Sequence, residues 1–179
     1  MKIHTTKIKG VLVIEPKVFS DERGFFLESW NQKSLKDQAG INEIFVQDNH
    51  SKSSKGVLRG LHYQLESPQG KLVRVVTGRV LDVVVDIRKS SPTFGQHFSI
   101  ELNDKNQLQL WISPGMAHGF VVLSETADFM YKTTEYYAQQ FERTILWNDD
   151  DLAIDWQLDN IKPELSVKDA TGVSFKSAE

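Results

Sequence analysis

The chain has 179 residues, a formal net charge of -3 at pH 7 with its five histidines neutral, and no cysteine. Its 40 % hydrophobic and 25 % charged residues are ordinary for a folded domain and exclude a disordered chain, and no apolar run approaches the roughly 20 residues of a membrane span. The charge gives no field that would gather nucleic acid broadly, so an anionic partner has to be met by a local basic cluster.

A chain of this length can bury a sizeable core without disulfides or a structural metal, and one folded unit over 1–179 is expected. The N-terminus, Met1 to Lys7, has no apolar signal core, and a chain without cysteine carries no disulfide framework. The expected location is cytoplasmic, with neither nucleic acid nor membrane as partner.

Ile8 to Glu15 reads as extended, followed by Pro16 and a loop. In Phe19 to Trp30 a tight Asp21-Glu22-Arg23-Gly24 turn enters an aromatic strand that carries Glu28. Arg23 and Glu28 either hold a polar ligand or are a solvated turn arginine and an edge-strand glutamate. Asn31 to Gly40 predicts one short helix. Ile44 to Ser51 is an apolar strand that turns polar, and Ser51 to Gly56 reads as a loop. Gln47 and Asn49 share a face, where two amides offer donors and acceptors to a sugar or phosphate, or else cap the loop backbone.

The stretch Leu58-Arg59-Gly60-Leu61-His62-Tyr63-Gln64-Leu65 places a histidine in mid-strand. Alternation puts Gly60, His62 and Gln64 on one face and Leu61, Tyr63 and Leu65 on the other, a polar face that suggests a lined cavity. It also puts Arg59 opposite His62, so both reach one ligand only if the regular strand starts at Gly60 or a bulge intervenes. After Ser67-Pro68-Gln69-Gly70, Lys71 opens a valine-rich strand predicted to return antiparallel beside His62. His62 is then either a structural histidine or a base that shares a pocket with a cation.

Lys71 to Val76, Thr77-Gly78 and Arg79 to Arg88 read as a hairpin; Asp82 and Asp86 in its second strand either orient partners or meet solvent. Strands follow near Gln96–Leu102 and Leu108–Ile112. His118 sits after a Pro114-Gly115 turn at the start of an apolar strand, and Tyr131 in the next strand is a core tyrosine or a catalytic acid. Beyond Tyr137 and Glu142, Asp149 to Ile154 suits a short helix, and Leu165 to Ala170 returns the chain with Lys168 and Asp169. Short strands at regular turn signals favour an all-β sandwich or barrel over βαβ units.

Two strand histidines in such a chain resemble the cupin-type jelly roll (double-stranded β-helix), here with a few short peripheral helices. Cupins often hold a metal on a His-x-His pair, a following Glu and a later His. In this chain Gln64 stands two residues after His62, with Gln69 and Lys71 downstream, and only His118 suits the last position. An amide and an ammonium are poor ligands for a divalent transition metal, so neither metal nor cofactor is expected. A base, cations and a phenol instead suit proton abstraction beside a carbonyl: a histidine removes a carbon-bound proton, a cation stabilises the enolate, and a phenol on the far side returns a proton and inverts the centre.

Eight motifs in order resemble the dTDP-4-dehydrorhamnose 3,5-epimerase family across nearly the whole chain. They are Phe19 to Glu28, Phe45 to Asn49, Leu58 to Gln64, Lys71 to Val75, Asp86-Ile87-Arg88 with Ser91 to Gly95, Pro114 to Phe120, Tyr131 to Thr134 and Leu165 to Asp169. The resemblance implies a dTDP-4-keto-6-deoxy sugar as substrate. It implies His62 as the base at C3 and C5, Asp169 as its support, Lys71 at the enolate and Tyr131 as the acid on the far face. It further implies Arg23, Arg59, His118 and Lys168 at the diphosphate or nearby groups, with Glu28, Gln47, Asn49 and Glu142 completing the polar contacts and Tyr137 stacking on thymine. The family is dimeric through its N-terminal strands, within about residues 1–50, which would put Arg23 and Glu28 at the partner's pocket.

Overall fold

The computed structural model describes residues 1–179. Thirteen strands follow one another: β1 (Lys2–Thr5), β2 (Val11–Glu15), β3 (Val18–Asp21), β4 (Gly24–Leu27), β5 (Gln47–Ser54), β6 (Leu58–Gln64), β7 (Lys71–Thr77), β8 (Arg79–Asp86), β9 (His97–Asn103), β10 (Gln109–Ile112), β11 (Met116–Val122), β12 (Thr126–Thr133) and β13 (Glu142–Thr144). The first of two antiparallel sheets has the order β1-β2-β10-β7-β12-β5 and the second β13-β6-β11-β8-β9, while β3 and β4 pair only with each other. This is the expected cupin-type jelly roll. Helix is confined to short pieces: α1 (Gln32–Ser34), running on as a wide turn to Ala39 and ended by Gly40 in the left-handed region, and α2 (Val167–Ala170).

Valine-rich alternation builds three apolar layers. Val73, Val75, Val80, Val84, Leu110, Phe120 and Phe129 fill the space between the sheets. Leu61, Tyr63, Leu81, Val83 and Val121, on the outer face of the second sheet, are covered by Ile145, Leu152 and Trp156 of the C-terminal segment. Leu72 and Trp111, on the outer face of the first, lie under Leu35 and Ile41. Both faces of β8 are therefore buried, and Asp82 and Asp86 meet partners rather than water: Asp82 faces His118, and Asp86 accepts from Arg88, Ser91 and Thr93.

The topology corrects four expectations. Lys71–Thr77 and Arg79–Asp86 do not form a hairpin. Gly78, at φ +83, turns a corner between the sheets, where a Cβ would lie 2.1 Å from the Thr126 carbonyl oxygen. Lys71 likewise does not return beside His62, because β6 is flanked by β13 and β11 whereas β7 is flanked by β10 and β12. The two strands face each other across the interior. Ser51 to Ser54 continue β5 rather than forming a loop, since β12 pairs with this strand from Gln47 to Ser54. The helix expected at Asp149–Ile154 is only a turn: Asp149 accepts from the Asp151 and Leu152 amides, and Ala153 has φ +45.

Candidate active site

At one end of the interior the apolar filling gives way to a cavity of about 350 Å³. The second sheet supplies Arg59, His62 and Gln64 from β6, His118 and Phe120 from β11, and Glu142 from β13. The first supplies Gln47, Asn49 and Ser51 from β5, Lys71 from β7, and Phe129 and Tyr131 from β12; Gln69, Tyr137 and Lys168 close the rim. His62 and Tyr131 thus stand on opposed walls.

Arg59 and His62 share this cavity because β6 does not alternate regularly. Opposite β11, His62 faces His118 and Arg59 faces Phe120, so β6 carries one residue more than its partner between the two pairs. Gly60 sits at that bulge with φ +130, and a Cβ there would meet the Gly119 Cα at 2.5 Å. Only glycine fits so close an approach. The Gly60 amide instead donates to Asp169 Oδ1 at 3.0 Å, and His62 Nε2 is bonded to the same oxygen at 2.7 Å. Arg59 is aimed into the cavity by two bonds, Nε and Nη2, to the buried Ser53 hydroxyl at 3.2 and 3.0 Å.

Electrostatics differ around the wall. Burial lowers the His62 pKa below the ordinary histidine value; the Asp169 bond opposes that shift, and Lys168 and Lys71 reinforce it. Burial pushes the Asp169 carboxyl up, but bonds from His62, Ser166 and Gly60 outweigh it and hold the carboxyl well below its usual range. Lys71, buried with no hydrogen-bonded anion, is pushed down to about 8, against the pull of Asp82 and Glu142. Burial, helped by Glu142, raises the Tyr131 phenol. Burial also raises Glu142, yet its bonds from Lys168 (2.8 Å) and the Tyr137 hydroxyl (2.9 Å) leave it below the ordinary glutamate value.

Of the residues singled out in the sequence, the structure brings together Gln47, Asn49, Arg59, His62, Lys71, His118, Tyr131, Tyr137, Glu142 and Lys168, with Asp169 directly behind His62. It does not bring Arg23 or Glu28 to this cavity. Arg23 lies at the tip of the separate β3–β4 hairpin and bonds only to its own Asp21, while Glu28 accepts from Asn31 beside Trp30 and Phe26. Sequence reasoning missed Ser51 and Ser53, hidden in what read as a loop, and the stacked Phe120 and Phe129, whose rings lie 4.1 Å apart on the cavity floor. The period-two pattern of β5 was the signal for the serines. No three His, Cys, Asp or Glu side chains group closely enough to hold a metal ion.

The fold and the pocket define a cupin-type protein in which a histidine–carboxylate pair and a tyrosine stand on facing walls of a polar cavity. The family profile described as dTDP-4-dehydrorhamnose 3,5-epimerase matches residues 5–177. The chain is 57 % identical over 180 residues to the dTDP-4-dehydrorhamnose 3,5-epimerase of Shigella flexneri, covering 100 % of this chain and 98 % of that one. It is 53 % identical over 179 residues to that of Pseudomonas aeruginosa, again covering 100 % and 98 %. The crystal structure of the dTDP-6-deoxy-D-glucose-3,5-epimerase of Legionella pneumophila in complex with dTDP-4-keto-L-rhamnose superposes with a TM-score of 0.97 at 50 % identity, over 99 % of this chain and 94 % of that one. The chain belongs to the dTDP-4-dehydrorhamnose 3,5-epimerase family.

Proposed function

We propose that this pocket converts dTDP-4-dehydro-6-deoxy-D-glucose to dTDP-4-dehydro-L-rhamnose by epimerising C3 and C5, with His62 as base and Tyr131 as acid. The observation that carries this reading is the His62–Asp169 pair facing Tyr131 across a cavity that also holds the buried Lys71. Both carbons flank the C4 ketone, so loss of either proton gives an enolate on the C4 oxygen. His62, kept neutral by burial and steadied by Asp169, accepts the proton. The Lys71 ammonium stabilises the enolate oxygen where water is largely excluded. Tyr131, whose raised pKa keeps its phenol protonated through neutral pH, returns a proton from the opposite wall and inverts the centre.

For the nucleotide, Arg59 and Lys168 supply cationic donors to the diphosphate, with the His118 imidazole beside them. Gln47, Asn49 and Glu142 complete the polar lining; the Asn49 side-chain amide nitrogen is buried without a partner, a donor free for a ligand acceptor. Tyr137 is half exposed at the rim, suitable for stacking on a base.

We also propose a homodimer through the N-terminal strands, in which the β3–β4 hairpin carries Arg23 and Glu28 to the partner's pocket. Its support is the pairing of that hairpin with neither sheet and its exposed Phe19, Phe25 and Phe26, apolar surface of the kind that marks an interface. A cytoplasmic location is proposed with it, on the nucleotide-sugar substrate class and the cysteine-free chain. No helix is long and apolar enough to cross a membrane.

The test is mass spectrometry of the keto sugar nucleotide incubated with the protein in deuterated water, against a control without protein. Two protein-dependent deuterons are expected. One would replace the double epimerase with a single-centre enzyme, and none would overturn the reading.

A further inference from the structure

Asp169 has two carboxylate oxygens, and the chemistry above uses one. Oδ1 takes His62 and the Gly60 amide, while Oδ2 accepts the Ser166 hydroxyl at 2.5 Å. Ser166 is the N-cap of α2, and its oxygen also accepts the Asp169 amide at 3.2 Å. A capping serine needs only to accept, and its own proton is ordinarily left to water. Here that proton goes to the carboxylate, so a single hydroxyl fixes both the backbone and the side chain of Asp169. The rest of this four-residue helix is held by the Lys168 bond to Glu142 and by the Asp169 bonds to Gly60 and His62, while Val167 is 81 % exposed.

We propose that Ser166 is a positioning residue for the epimerisation: it clamps Oδ2 of Asp169 so that Oδ1 stays directed at His62. The effect on turnover rests on the epimerase reading above, whereas the clamp itself rests on geometry alone. Without the hydroxyl the carboxylate is free to turn about its last bond. It also loses a donor to its charged form, which makes it more basic and a stronger partner for imidazolium. His62 should therefore titrate at higher pH. The other titratable and charged groups around His62 are Arg59 of β6, Lys71 of β7, His118 of β11, Tyr131 of β12, Glu142 of β13 and Lys168 of α2. A change at Ser166 does not touch the strand residues among them, and Lys168 keeps its bond to Glu142.

The experiment combines an NMR titration of His62 in the unliganded protein with kcat and KM for Ser166→Gly, Ser166→Ala and Ser166→Thr. Glycine is accepted at an N-cap but has no hydroxyl, which separates capping from clamping. In Ser166→Gly the His62 titration should rise by about half a pH unit and kcat should fall about tenfold with KM within about twofold, and Ser166→Thr should restore both. An unchanged His62 titration and an unchanged kcat in Ser166→Gly, with only a lower Tm, would reduce Ser166 to a cap and overturn the proposal. If neither Gly nor Ala variant folds, Ser166→Thr decides: a threonine variant that keeps the wild-type titration supports the clamp, and one that shifts it contradicts it. The titration needs no substrate, so wild-type protein that fails to epimerise the keto sugar removes the epimerase reading and leaves this test standing.

Discussion

His62 and His118 stand opposite each other on neighbouring strands, each with Nε2 against a carboxylate, yet the two pairs are built in different ways. His118 bonds to Asp82 at 2.9 Å inside the second sheet; its side chain is 8 % exposed and that of Asp82 is wholly buried. His62 is 22 % exposed to the cavity, and its carboxylate comes from a C-terminal turn, held by a serine hydroxyl and a backbone amide as well. The first pair is locked by the sheet and leaves Asp82 without another donor if His118 is lost. The second opens one face of an imidazole to the cavity while its anion is satisfied from behind. The same two residue types are thus buried within the sheet in one place and opened to the cavity in the other, and what separates them is how the anion is anchored and how far the ring is exposed.

Substitution should separate the pairs most sharply. His62→Ala is expected to lower turnover by about 10³-fold or more, because general base catalysis typically contributes 10²–10⁴. Its folding stability should change far less, since Asp169 keeps the Ser166 and Gly60 donors. His118→Ala should show the reverse balance, a loss of about 3 kcal/mol in urea unfolding from the stranded Asp82 with a smaller fall in kcat. Parallel denaturation and kinetic measurements check both, and equal stability losses would erase the distinction.

The pH dependence of kcat/KM sharpens the same contrast. The proposed roles need His62 neutral and Lys71 charged. Burial lowers His62, so the acid limb should fall below the ordinary histidine range, and Lys71, at about 8, should set the basic limb. Activity is then lost as pH falls through the His62 pKa and again as it rises through that of Lys71. Lys71→Arg, which stays charged, should abolish the basic limb and leave the acid limb in place. The smallest effect is expected at Arg23, exposed and bonded only to its neighbour Asp21. Arg23→Ala should raise KM by about tenfold, the scale of one charge-assisted bond, with the Tm unchanged; an unchanged KM would remove the hairpin from the partner's pocket.

Much of the site was legible because strand alternation is local. It placed His62 and Gln64 on one face and Leu61 on the other, as the cavity and the outer core layer have them. Sheet membership was not legible: β7 and β8 read as a hairpin because valine density looks the same whether a strand pairs with its successor or crosses to the facing sheet. The bulge at Gly60 depends on Gly119 of another strand, and the sequence could only pose it as a condition for Arg59. Ser53 and Ser166 are not legible for a related reason. A serine reads as loop or cap until the guanidinium or carboxylate it holds is seen beside it.

Whether a base on one wall and an acid on the other divide the reaction is decided in Tyr131→Phe by following solvent deuterium exchange and inversion of the keto sugar together by NMR. Exchange at C3 and C5 should persist through His62 while inversion is lost to a much greater degree. Equal loss of exchange and inversion would contradict Tyr131 as the acid on the far wall.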